Sequence, residues 1–101
     1  MRLRAGVALA AALLATGLLA APAEALECHT KPVKVKGSPG RIEATAKSRA
    51  RSAWIKKVSA NRKLGRDYGA WLRARDPSYA CRKTGRQITC EAVATPCRIE
   101  P

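Results

Sequence analysis

The stretch YACRKTGRQITCEAVAT, residues 79–95, switches the chain from a helical to a strand period and decides the fold class. Ile88, Cys90, Ala92 and Ala94 alternate with Thr89, Glu91, Val93 and Thr95, so each set occupies one face of a strand. Lys83-Thr84-Gly85-Arg86 interrupts the alternation with a glycine able to take a positive φ, which predicts a hairpin with strands over 79–83 and 87–95. With Gly85-Arg86 as the two-residue loop, Cys81 and Cys90 stand opposite each other on the same face. A one-residue change of turn would move them apart.

Working back from the hairpin, the period becomes 3.6. Ile42, Ala46, Ala50, Ala53, Trp54 and Val58 form one apolar stripe, which predicts a helix over about 42–60. Ser38-Pro39 suits its start, since serine caps orphan N–H groups and proline fits the first helical position. Glu43 in the first turn and Lys56 and Lys57 near the end follow the order favoured by the helix dipole. After a break at 61–65, Leu64, Tyr68, Trp71 and Leu72 predict a shorter second helix over 66–74. Asp76-Pro77 closes it, because the residue before proline avoids the helical region. The expected fold is therefore α+β: two helices followed by a β-hairpin whose inner face packs on Trp54, Trp71 and Leu72.

The N-terminal third divides in two. Arg2 and Arg4 precede an uncharged run over 5–21, all Ala, Leu, Val and Gly but for Thr16; Pro22 breaks it, and Ala23-Glu24-Ala25 offers the small-x-small pattern a signal peptidase accepts. A spanning helix needs about 20 apolar residues, and this run is shorter, alanine-rich and followed by a cleavage site. The expectation is a signal peptide over 1–25 and a mature chain beginning at Leu26, exported to the periplasm or secreted and not membrane-spanning after cleavage. Intact mass of the exported protein checks this; a chain still starting at Met1 in envelope fractions would indicate an anchor instead. Residues 26–40, with Lys31-Pro32, alternating Val33-Lys34-Val35-Lys36 and Gly37-Ser38-Pro39-Gly40, read as an extended arm held by Cys28 or a short edge strand. Residues 41–101 then form the helical and hairpin domain.

Loss of 25 residues from 101 leaves 76, a size that is marginal without staples. Cys28, Cys81, Cys90 and Cys97 remain, and an even count in a short exported chain predicts two disulfides. Of three connectivities, Cys81–Cys90 with Cys28–Cys97 and the crossed Cys28–Cys90 with Cys81–Cys97 are the leading pair. Neither a zinc-type Cys-x2-Cys spacing nor a Cys-x-x-Cys redox or haem motif occurs, so no metal or cofactor is implied.

No catalytic motif stands above background. His29 is the only histidine, which excludes a two-histidine ribonuclease; a pair with Glu27, Glu43 or Glu91 remains formally open. Ser38, Ser48, Ser52, Ser59 and Ser78 lack a Gly-x-Ser-x-Gly context. Trp54, Tyr68, Trp71 and Tyr79 suit nucleic-acid or sugar stacking in principle, but at helical spacing they read first as core.

Charge is the strongest functional signal. Arg2, Arg4 and Glu24 leave with the leader, so 20 basic and 7 acidic side chains become 18 and 6, a net charge of +12. Such a balance favours polyanions; an Ala- and Arg-rich GC-biased composition would produce it too. Arg49, Arg51, Lys56, Lys57, Arg62 and Lys63, along the first helix and its exit, are the candidate polyanion-binding residues. Expected partners are an anionic envelope polymer or lipid, or an acidic protein, with nucleic acid bound only non-specifically.

Ala53-Trp54-x3-Val58, Tyr68-Gly69-x-Trp71, Cys81, Cys90-x-Ala92 and Pro96-Cys97 together resemble small signal-peptide-bearing secreted or periplasmic proteins of alphaproteobacteria. The likeness runs over about 48–97 and leaves Cys28 outside. It implies an exported compartment and a small stapled shape, and it brings no activity or site residues with it. The function expected is that of an exported cationic, non-enzymatic protein for an anionic envelope component. An inhibitor or accessory module for an acidic protein is the alternative, and a small hydrolase or toxin a third.

Overall fold

A computed structural model describes residues 25–101; the signal peptide read over 1–25 thus lies almost entirely outside the described residues. In chain order the elements are β1 (Leu26–Cys28), β2 (Val33–Lys36), α1 (Glu43–Ala60), two 3-10 turns (Arg66–Tyr68 and Trp71–Arg73), β3 (Arg75–Thr84), β4 (Gln87–Thr95) and β5 (Cys97–Ile99). Strands β2, β4 and β3 make an antiparallel sheet in that order, and β1 pairs with β5 in a separate ribbon. Helix α1 covers one face of the sheet.

Strand β4 holds the centre because its alternation is the cleanest in the chain. Cys90, Ala92 and Ala94 are buried, whereas Thr89, Glu91, Val93 and Thr95 are half-buried on the opposite face. Gly85-Arg86 forms the turn, with Gly85 at φ 63°, so Cys81 lies opposite Cys90. The helix presents Ala46, Ala50, Trp54 and Val58 to this surface, and these residues form one cluster with Cys90, Ala92 and Ala94. Alanine on both sides lets helix and sheet approach closely, and Trp54 supplies the bulk. Its indole Nε1 donates to the Val33 carbonyl at 3.1 Å, tying the helix to edge strand β2.

The second helix expected over 66–74 does not form. Its place is taken by the two 3-10 turns, and the fold is one helix with strands before and after it rather than two helices followed by a hairpin. A continuous helix would set Tyr68, Trp71 and Leu72 along one side. Instead the chain extends at Ala70, with φ −80° and ψ 108°, and Gly69 is pressed so tightly on α1 that a Cβ would lie 2.3 Å from Ser59 Oγ. The break sends Tyr68 beneath Arg98 of β5, at 5.3 Å, and Trp71 onto Trp54 and Tyr79 at 5.1 and 5.5 Å. Nine residues containing Gly69 have little helical stability of their own, so these aromatic contacts decide the conformation. Leu72, expected against the hairpin, is turned outward and is 95% exposed.

Two boundaries also move. Helix α1 starts at Glu43 without a side-chain cap, and Ser38 is exposed. The residues before it are spent on β4: Gly37 N–H donates to the Cys90 carbonyl at 3.0 Å, and Gly40 and Ile88 exchange bonds of 2.9 and 2.7 Å. Glycine is required at 37, since a Cβ there would come within 2.4 Å of the Ala50 backbone nitrogen. Strand β3 begins at Arg75 rather than at residue 79, because a bulge with Asp76 at φ 52° accommodates Pro77 inside an edge strand.

Residues 26–40, read as an extended arm or a short edge strand, contribute strands to both sheets, and Val33–Lys36 is the edge strand of the larger one. Val33 and Val35 pair with Ala94 and Ala92, and Leu26, Glu27 and Cys28 with Ile99, Arg98 and Cys97. Disulfides join Cys28 to Cys97 and Cys81 to Cys90. Each bridges residues already opposite in a strand pair. The crossed connectivity is not adopted. Among the described residues no helix is long and apolar enough to cross a membrane.

Candidate functional site: the basic surface of the helix and turns

Ala46, Ala50, Trp54 and Val58 of α1 are buried against Cys90, Ala92 and Ala94 of the facing strand, so the charges of α1 point sideways or outward. The helix therefore separates the candidate residues that the sequence placed together. Arg49 and Lys56, seven residues apart, share one flank. With Ser38, Ser48, Ser52 and Ala53 they line an open depression of about 400 Å³. The Arg49 guanidinium donates to the Pro39 carbonyl, which holds its planar group over the loop that leads into α1. Two cations and three hydroxyls in one shallow surface can donate to phosphate or sulfate oxygens without a carboxylate among them.

Arg51 lies on the other flank and lines a different depression, with Ile55, Trp71 and Arg73. Lys57 is exposed on the last turn of α1. Arg62 and Lys63 stand on the exposed tip beyond it. That tip is ordered locally: Asn61 Oδ1 accepts from the N–H groups of Lys63 at 2.8 Å and Leu64 at 3.3 Å, and Asn61 N–H donates to the Val58 carbonyl. The six residues thus form an Arg49/Lys56 pair, an Arg62/Lys63 tip beside Lys57, and Arg51 apart.

A further basic surface escaped the reading of the helix. On the sheet face away from α1, Lys34 and Lys36 of β2 and Arg82 of β3 surround Thr89, Val93 and Ala80. Lys36 and Arg82 line a depression of about 270 Å³ there together with Glu91. The Val-Lys alternation at 33–36 carried this information once its register with β4 was known.

Few of these charges are neutralised. Glu43 pairs with Lys47 at 2.9 Å, and Glu27 with Arg98 at 2.8 Å, the latter also through Nε at 3.0 Å. The hydrogen bond to Glu27 raises the Arg98 guanidinium above its ordinary pKa. Of the 18 Lys and Arg side chains among the described residues, these two are the ones in ion pairs, which leaves sixteen without a carboxylate partner. Asp67, Asp76, Glu91 and Glu100 make no such pair among the described residues.

The residues considered for chemistry are dispersed. His29 follows β1, and its backbone N–H donates to the Pro96 carbonyl at 2.8 Å. Of its candidate partners, Glu27 is engaged by Arg98 and Glu43 by Lys47, and Glu91 lies on the outer sheet face. Among the described residues no group of three or more His, Cys, Asp or Glu side chains is placed to hold a metal ion. Trp54 is fully buried, whereas Trp71 and Tyr79 are half-buried. No protein-family model, curated protein or solved structure matches this chain.

Proposed function

We propose that this is an exported, cationic, non-enzymatic protein that binds an anionic component of the cell envelope through its exposed Lys and Arg side chains. The observation that carries the reading is the set of sixteen basic side chains without a carboxylate partner among the described residues. Self-repulsion among so many like charges opposes compaction, and a polyanion relieves it. Two disulfides suit an oxidising compartment such as the periplasm or the exterior, as does the resemblance to exported alphaproteobacterial proteins.

The test is a salt titration of binding to duplex DNA, used as a defined polyanion. Log affinity should fall against log salt with a slope of roughly 3–6, at about 0.9 per phosphate neutralised. Arg49→Gln with Lys56→Gln should flatten that slope by about 1.8. Arg51→Gln, on the opposite flank, should leave it nearly unchanged; an equal effect would mean that contact is spread around the whole helix. No binding to any polyanion at about 50 mM salt would overturn the proposal, and a single acidic protein partner would then be the better reading.

A further inference from the structure

The depression between α1 and the second 3-10 turn differs in kind from the rest of the basic surface. Arg51 and Ile55 of α1 form one wall, and Ala70, Trp71, Leu72 and Arg73 the other, around about 620 Å³. No carboxylate lines it, and Arg51 and Arg73 are both exposed. Leu72 stands at its edge, 95% exposed. Trp71 beneath it is half-buried and held from two sides by the rings of Trp54 and Tyr79. A rigid aromatic ring, a protruding aliphatic side chain and two flanking cations are thus gathered on a short turn.

We propose that this turn docks onto an anionic lipid surface, with Leu72 entering the acyl boundary, Trp71 at headgroup level, and Arg51 and Arg73 on lipid phosphates. Charge complementarity selects the partner, since only cations border the apolar point. Shape selects a lipid over an acidic peptide. A peptide anchor needs a pocket that receives its side chain, whereas here the protein's own leucine projects outward and suits a deformable surface. Tryptophan favours the membrane interface, and basic side chains are attracted by anionic headgroups. One apolar contact alone binds weakly, so the apolar and the electrostatic contributions are both needed. The attachment is superficial. It shares with the polyanion reading the premise that the positive charge is used, but it uses a different set of residues.

The test is sedimentation of the mature chain with vesicles of phosphatidylglycerol and phosphatidylcholine in equal parts, against phosphatidylcholine alone, with tryptophan emission as a second readout. Binding should require the anionic lipid, and emission should shift to the blue. Trp54 is already buried, so that shift reports Trp71. Leu72→Ser should weaken partitioning by about tenfold, the loss expected when one leucine no longer leaves water. Because Leu72 is exposed, this variant keeps its fold, and its binding to duplex DNA should be unaltered. Arg51→Gln and Arg73→Gln should each cost about fivefold on anionic vesicles. Ile42→Ser, which removes an exposed apolar side chain outside this depression, should change nothing. Equal vesicle binding by wild type and Leu72→Ser would overturn the proposal, leaving simple electrostatic adsorption. So would absence of vesicle binding together with Leu72-dependent, saturable binding of an acidic peptide. A flattened DNA salt slope in Arg49→Gln with Lys56→Gln, with vesicle binding retained, would support the lipid site independently of the polyanion reading.

Discussion

Replacing Trp54 by alanine is expected to destabilise the domain by about 3–5 kcal/mol, the range for deleting a large buried aromatic side chain. Trp54 is fully buried between Ala50 and Val58 on α1, and faces a strand whose inward residues include Ala92 and Ala94. Those small neighbours have no side-chain length with which to fill the space. The substitution also removes the Nε1 donor to the Val33 carbonyl and the edge contact with Trp71. A mature chain of this size has about 4–11 kcal/mol of stability in all, so the loss is a large share of the total and at the lower end of that range unfolds the domain. Urea titration followed by circular dichroism measures the loss. Trp54→Phe should recover most of it, since a ring remains. A loss below about 1 kcal/mol in Trp54→Ala would contradict this account of the core.

The two disulfides should contribute unequally. Cys28–Cys97 spans 69 residues and Cys81–Cys90 spans 9. Restriction of the unfolded chain grows with the logarithm of loop length, giving about 4 kcal/mol for the first and about 3 kcal/mol for the second. Their structural settings widen the difference. Cys81 and Cys90 lie within a hairpin already set by a two-residue turn and flanking ladder bonds, so that turn keeps them close without the bridge. Cys28–Cys97 joins the two ends of the described chain, where β1 and β5 are each three residues long. Alanine at both Cys28 and Cys97 should therefore lower the melting temperature more than alanine at both Cys81 and Cys90, and should release β1 to hydrogen exchange. Equal losses, or a larger loss from the hairpin pair, would refute the chain-entropy ordering. Full reduction should approach unfolding, because both contributions together rival the stability of a domain this small.

Local periodicity determined the parts of this molecule that carry their own signal. Residues 87–95 alternate over a full strand and Gly85-Arg86 makes the turn, so the hairpin and the facing of Cys81 and Cys90 could be read directly. The stripe from Ala46 to Val58 repeats for long enough to mark α1 and its buried face. Net charge and the cysteine count are likewise properties of composition, and the even count anticipated the two disulfides without any fold.

Tertiary structure alone decided the rest, for reasons visible at particular residues. Strand β1 is three residues long, too short for a periodic signal, and β2 shows only the Val-Lys alternation that left arm and edge strand both open; their partners lie between 55 and 73 residues further along the chain. Arg49 and Arg51 are neighbours in sequence, but two residues along a helix turn side chains through about 200°, so they serve opposite flanks. Tyr68, Trp71 and Leu72 carry a helical spacing that was outweighed by two separate demands. Tyr68 is drawn to β5 and Trp71 to the Trp54–Tyr79 stack, and the chain breaks at Gly69 and Ala70 to meet both. That break turned Leu72 from an expected core residue into the most exposed large apolar side chain of the described domain, and set it beside Arg51 and Arg73.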